Sequence, residues 1–133
     1  MHEKDPFSEF REFINTMESR VQELGKAYGV EHLAGPQGFA VRYLFENQDK
    51  EIFIKDIEKR LSISKSVASN LVKRMEKNGF VELVTSDKDK RYKYVRLTDL
   101  GEKKAQDVGY FREAIHEQLL DGISKEDAET AFR

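Results

Sequence analysis

Residues 54–80 read IKDIEKRLSISKSVASNLVKRMEKNGF, and the spacing inside this stretch decides the fold. Ile57 and Leu61 lie one turn apart, which predicts a short helix over 54–61 with both side chains inward. Ser62-Ile63-Ser64 forms a tight connection. Ser64 is placed to cap a new helix by accepting a bond from an orphan amide. In that helix Val67, Leu71 and Met75 recur every fourth residue and read as its buried side. Lys65, Ser66, Ser69, Asn70, Lys73 and Arg74 fall on the outer side. Asn78-Gly79 is the pair expected where a helix stops in a left-handed turn. Two short helices about a tight turn, the second with a small, polar and basic outer face, read as a helix-turn-helix.

Downstream the period changes to two. Phe80 to Val84 is one predicted strand. Tyr92 to Leu97 is another, with Tyr92, Tyr94 and Arg96 alternating against Lys93, Val95 and Leu97. Residues 85–91 between them are all polar, so the hairpin tip is well solvated and reads as a wing. Thr98 can cap a further helix, with Leu100, Ala105, Val108, Phe111, Ile115 and Leu119 along one side and an end near Asp121-Gly122. Ser124 and Asp127 then resemble a capping box.

Upstream, Phe7, Phe10, Ile14, Met17, Val21 and Leu24 are spaced 3, 4, 3, 4, 3. That is a heptad-like stripe on a long helix, widened by Phe13. Asp5 and Pro6 supply a cap and a first-turn proline, and Gly25 and Gly29 bracket the end. Nothing nearby is long enough to cover the stripe, which favours a helix–helix seam between two copies over packing within one. A second helix starts at Gly35-Pro36-Gln37, mostly buried through Phe39, Val41, Tyr43, Leu44 and Phe45. Ile52-Phe53-Ile54 is a short apolar run.

The 133 residues fit one subunit. Charged residues reach 36%, above the roughly 25% of an average domain. From Lys55 to Lys104 there are 14 Lys and Arg against 8 Asp and Glu, a net of +6, which leaves −8 for the rest. A basic middle on an acidic body suits a polyanion partner. No apolar run approaches a membrane span, and no apolar segment after Met1 suggests a secretory signal. A cytoplasmic location is expected. With no cysteine, thiolate metal sites, cysteine nucleophiles and thiol redox switching are excluded. His2, His32 and His116 show no metal spacing. No phosphate-cradling glycine loop or H-E-x-x-H is present. Neither catalytic residues, a metal site nor a cofactor is therefore expected.

The stretches Leu61 to Ser69, Met75 to Val81, and Asp89-Lys90-Arg91 through Leu97-Thr98-Asp99-Leu100-Gly101 resemble the MarR family of bacterial winged-helix transcription regulators. The resemblance covers roughly residues 7–130. It implies a mainly α fold with a small β-wing. A winged helix at about 35–97 would be flanked by dimerisation helices at about 7–27 and 98–133, all within a single subunit spanning residues 1–133. It further implies a homodimer on a near-palindromic operator of double-stranded DNA, usually as a repressor. Carried onto this chain, helix contacts come from Lys65, Ser66, Ser69, Asn70, Lys73 and Arg74. Wing contacts come from Arg91, braced by Asp89, with Lys88, Lys90 and Lys93 adding phosphate attraction.

Two departures stand out. Asn70 replaces a residue often basic in the family and can bond adenine bidentately, and the last helix is short. The resemblance also implies a small-molecule effector between the dimer helices and the DNA-binding lobe. Phe10, Phe13, Phe39, Tyr43 and Phe111 are candidate lining residues, with plain core packing the competing reading. A winged helix used only for protein–protein contact is the alternative function. It predicts a neutral or acidic recognition face.

Overall fold

The computed structural model describes residues 5–31, 33 and 35–120. The order is α1 Pro6–Ala27, α2 Pro36–Glu46, α3 Ile54–Leu61, α4 Lys65–Lys77, β1 Val81–Thr85, β2 Lys93–Leu97 and α5 Asp99–Ile115. A π-helical turn, His116–Leu120, follows α5. The expected capping box at Ser124 and Asp127, the end at Asp121-Gly122, and His2 and His32 lie outside the described residues.

Local chemistry sets the helix ends. The Asp5 carboxylate accepts from the Ser8 amide at 2.7 Å, and Pro6 fills the first turn where no donor is needed. The Ser64 hydroxyl accepts from the Val67 amide at 3.3 Å. At α3 the Asp56 carboxylate takes the amide of Phe53 at 2.8 Å. Gly79 stops α4 with φ +81°. The turn between α3 and α4 is tighter than its residues suggest. Ser62 holds φ +54° and ψ +47°, a left-handed conformation that costs a residue with a Cβ about 1–2 kcal/mol.

The core joins Val41 and Leu44 of α2, Ile57 of α3, Leu71, Val72 and Met75 of α4, Val95 of β2, and Val108 and Phe111 of α5. Each such side chain contributes about 1.5–3 kcal/mol by leaving water. The two strands pair antiparallel, Val81 opposite Leu97 and Thr85 opposite Lys93. Ile52 adds an isolated bridge to Val95, whose amide donates to the Ile52 carbonyl at 2.7 Å. The apolar run before α3 thus works as a one-residue third strand.

Three side chains read as buried are not. Val67 is 48% exposed, Phe39 54% and Leu100 43%. In α4 the buried arc is Ala68, Leu71, Val72 and Met75. At about 100° per residue these four cluster around one direction, and Val67 lies roughly 90° off it. The α1 stripe is open to solvent in this single chain, with Phe7 at 83% and Phe10 at 64% exposure. Only Gly25 of α1 is buried.

Thr98 ties the winged helix to α5. Its hydroxyl accepts from the Gly101 amide at 3.0 Å and donates to the Gly79 carbonyl, while its amide donates to the Phe80 carbonyl at 3.0 Å. One residue therefore caps α5 and holds the end of α4.

Candidate nucleic-acid interface

Helix α4 is fixed from behind by its buried arc, so its front is rigidly displayed. Lys65, Ser66, Asn70, Lys73 and Arg74 are all exposed there, and Ser69 is half-buried between the front and the core. Val67 joins this front, an apolar contact of the kind that suits a thymine methyl. The small hydroxyls allow close approach, and the three cations sit at the two ends of the row.

The wing is organised by a buried hydroxyl. Ser86 is 1% exposed. It donates to Glu51 at 2.7 Å and accepts from the amides of Lys88 and Asp89 at 3.2 and 3.4 Å. The turn ahead of the tip is thereby fixed.

At the tip, the Arg91 side chain donates through Nε to Asp89 Oδ1 at 3.0 Å and through Nη2 to Oδ2 at 2.7 Å. The Arg91 amide also donates to Oδ1 at 3.1 Å. This is the bidentate fork the sequence pattern suggested. Arg91 holds the Asp89 carboxyl below the usual carboxylate range through these bonds, and Asp89 raises the guanidinium in turn. The Arg91 guanidinium also lies 5.6 Å from the Tyr92 ring centroid. Yet its side chain remains 81% exposed, aimed outward rather than folded onto the sheet. Lys88 and Lys90 flank it, both exposed.

Between α4 and the wing runs a cleft of about 440 Å³. Phe53 and Tyr92, edge to face at 6.4 Å, form its apolar wall. Lys55, Lys65 and Lys93 line its rim. Lys55 counted only toward the basic segment in the sequence, because it lies in the first turn of α3, away from the helix that carries the motif.

The aromatic candidates do not form one cavity. Phe111 is 4% exposed and belongs to the core. Phe10 and Phe13 stand on the open stripe of α1. Phe39 and Tyr43 do meet, lining a small pocket between α2, α3 and α5. Among the described residues no group of three or more His, Cys, Asp or Glu could hold a metal ion. No helix among them is long and apolar enough to cross a membrane.

The sequence profile of the MarR family matches residues 35–91, from α2 through β1 to the wing tip and short of β2. Across 97% of its length the chain is 50% identical to the heme sensor protein PefR from Streptococcus agalactiae, solved in complex with heme. The match covers 88% of that chain, with a TM-score of 0.84. The chain belongs to the MarR family. It also matches the heme-free form of PefR at 50% identity, covering 86% of this chain and 99% of that one, with a TM-score of 0.81. A curated relative of this MarR-family chain is the HTH-type transcriptional regulator YwhA of Bacillus subtilis (strain 168). The two are 23% identical over 82% of this chain and 77% of that one. S. aureus MepR, solved in complex with DNA, shares the winged-helix fold at 18% identity with a TM-score of 0.68. That match covers 93% of this chain and 98% of that one. The fold and family are those of DNA-binding transcription regulators.

Proposed function

We propose that the protein is a homodimeric repressor in the cytoplasm that reads a near-palindromic operator and is released by a small-molecule effector. It carries out no catalysis of its own. The observation that carries this reading is the pairing of a polar, cationic α4 front with an outward Arg91 held by Asp89. The helix front suits a major groove. A guanidinium offered on a short hairpin suits the concentrated negative potential of a narrow minor groove. The open stripe of Phe7, Phe10, Phe13 and Ile14 supports dimerisation, since four large apolar side chains in water favour a second copy of the same helix.

Selection from randomised duplexes at about 150 mM salt tests it. An inverted repeat with half-sites ~10 base pairs apart is the expected product, because two symmetric α4 helices sit one DNA turn apart. No binding even at low salt would overturn it in favour of the protein-contact reading.

One finding favours a particular effector. PefR, 50% identical, is a heme sensor, and we propose the same ligand here. With no cysteine in the chain, a histidine is a natural axial donor. His116 lies beside Arg112, Glu113 and Glu117 at a cleft of about 340 Å³ where α5 gives way to the π-helical turn. On this face His116 offers an imidazole for the iron and Arg112 a cation for an acidic group, with Glu113 and Glu117 beside them. Heme, when bound, would supply an iron that the His116 imidazole would hold. Hemin added to the chain should give a shifted, intensified Soret band and release the operator, and His116→Ala should lose the imidazole-ligated spectrum. Unchanged spectra in both proteins would remove heme from the reading and leave the operator proposal standing.

A further inference from the structure

We propose that the strap Glu51-Ile52-Phe53 sets where Arg91 lands on the operator, with Glu51 as a positioning residue that acts through the Ser86 hydroxyl. The inference rests on the operator reading above and deepens it by naming the residues that fix the wing relative to α4.

Three consecutive residues grip the hairpin at three points. The Glu51 carboxylate accepts from the Ser86 hydroxyl at 2.7 Å, just beyond the end of β1. The Ile52 carbonyl accepts from the Val95 amide at 2.7 Å, in the middle of β2. The Phe53 ring meets Tyr92 edge to face at 6.4 Å, on the residue next to Arg91. The strap is anchored in turn to the helix-turn-helix. The Phe53 amide donates to the Asp56 carboxylate at 2.8 Å, and the Asp56 amide donates to the Phe53 carbonyl at 3.0 Å. The strap therefore runs without slack into α3.

Of the three grips, Glu51 is the one that reaches the tip. A serine hydroxyl has one proton to give, and Glu51 takes it. The Ser86 oxygen is left to accept from the amides of Lys88 and Asp89. Asp89 then carries the fork that aims Arg91. One carboxylate and one hydroxyl thus link the start of α3 to the guanidinium. Ser86 is 1% exposed, so without Glu51 its hydroxyl must find another acceptor away from water. The turn built on it then loses its fixed seat.

Two contacts in different grooves must land together, and a two-stranded hairpin by itself is at best marginally stable. The strap refers the wing to α3, and Ile57 of α3 shares the core with Leu71 and Met75 of α4. Arg91 is held at a set place relative to the α4 front before DNA arrives, which lowers the ordering cost of binding.

A double-mutant cycle on the full chain tests this, using the duplex recovered by selection at about 150 mM salt. Glu51→Ala should weaken operator binding roughly fivefold. In an Arg91→Ala background the same change should cost less than about twofold, because no guanidinium is left to place. Glu51→Gln keeps a carbonyl oxygen for the Ser86 proton and should stay within about twofold of wild type. A residue that only supported the fold would cost the same factor with and without Arg91. Glu51 is half-buried and outside the core cluster. If Glu51→Ala nevertheless fails to fold, Ser86→Ala takes its place in the cycle with the same expectation. In the free protein, amide hydrogen exchange at Lys88 and Asp89 should quicken at least ~3-fold in Glu51→Ala and not in Glu51→Gln. Equal losses in both backgrounds, or no loss in Glu51→Ala, overturns the proposal and leaves the operator reading standing. If wild type selects no duplex, the operator reading fails. The exchange rates then judge the strap by itself: faster exchange at Lys88 and Asp89 supports its hold on the tip, and unchanged rates overturn it.

Discussion

Arg91→Ala should weaken operator binding at least ~10-fold at about 150 mM salt and leave the melting temperature within a degree or two. The two halves of that expectation have separate causes. Arg91 is 81% exposed and its bond to Asp89 lies wholly at the surface, where an ion pair contributes little to folding. On the proposed operator the same guanidinium would enter a narrow groove, where the negative potential is concentrated. There it would also neutralise phosphate charge, so its loss should flatten the salt dependence of binding by about one ion per subunit.

The Asp89 fork adds pre-organisation, since the side chain is already aimed before DNA arrives. Arg91→Lys should rescue only part of the loss, because an ammonium cannot keep the two-point contact. The pH behaviour follows from the direction of the shift. Asp89 is held below the usual carboxylate range. Its ionised, aiming form is therefore complete above the ordinary aspartate range and is lost only as pH falls through the lowered folded value. Operator affinity through this arm should not change between pH 8 and 5. Unchanged affinity in an Arg91→Ala titration would remove the wing from the interface.

Gly101→Ala should be one of the most damaging single-methyl changes, lowering the melting temperature by roughly 10 °C or more in calorimetry. A Cβ at Gly101 would sit 2.0 Å from the Phe80 carbonyl oxygen and 3.0 Å from Leu97 Cδ2. The nearer atom is backbone, fixed by its bond from the Thr98 amide, and cannot swing aside. The first turn of α5 would have to lift away from the end of α4. Overpacking usually costs about 1–3 kcal/mol, and contact with fixed backbone puts this site at or above the upper limit. Gly35→Ala is the control. It meets nothing within 4 Å and should change stability by less than about 1 kcal/mol. A Gly101→Ala protein as stable as wild type would mean that α5 is free to shift at this joint.

Gly101 also shows what the residue pattern carries without explaining. The run from Leu97 to Gly101 is legible as a motif, but its reason is a close approach between Gly101 and Phe80, 21 positions apart. Helix caps at Asp5, Ser64 and Thr98 were readable because each acts within three residues of itself. The helix-turn-helix and hairpin were readable because their apolar periods differ. Val67 was misplaced because a strict four-residue repeat drifts around a helix that needs 3.6, and the drift puts its first member at the edge of the buried arc. Ile52 gave no strand signal, since a single bridged residue has no alternation to detect. The grip of Glu51 on Ser86 was invisible for a different reason. The two lie 35 positions apart, and only tertiary packing makes them neighbours.

The Thr98 joint makes α4 a lever. Its near end is at Gly79, clamped to the start of α5, and its far end is the Lys65–Ser66 tip, held by the tight turn to α3. Thirteen residues give an arm of about 20 Å. A rotation of roughly 10° at the clamp carries the tip about 3.5 Å over that arm, close to the ~3.4 Å step from one base pair to the next. Because α4 shares one core with α2, α3 and α5, such a swing is resisted along the whole rod, and the placing of its tip is set by that packing.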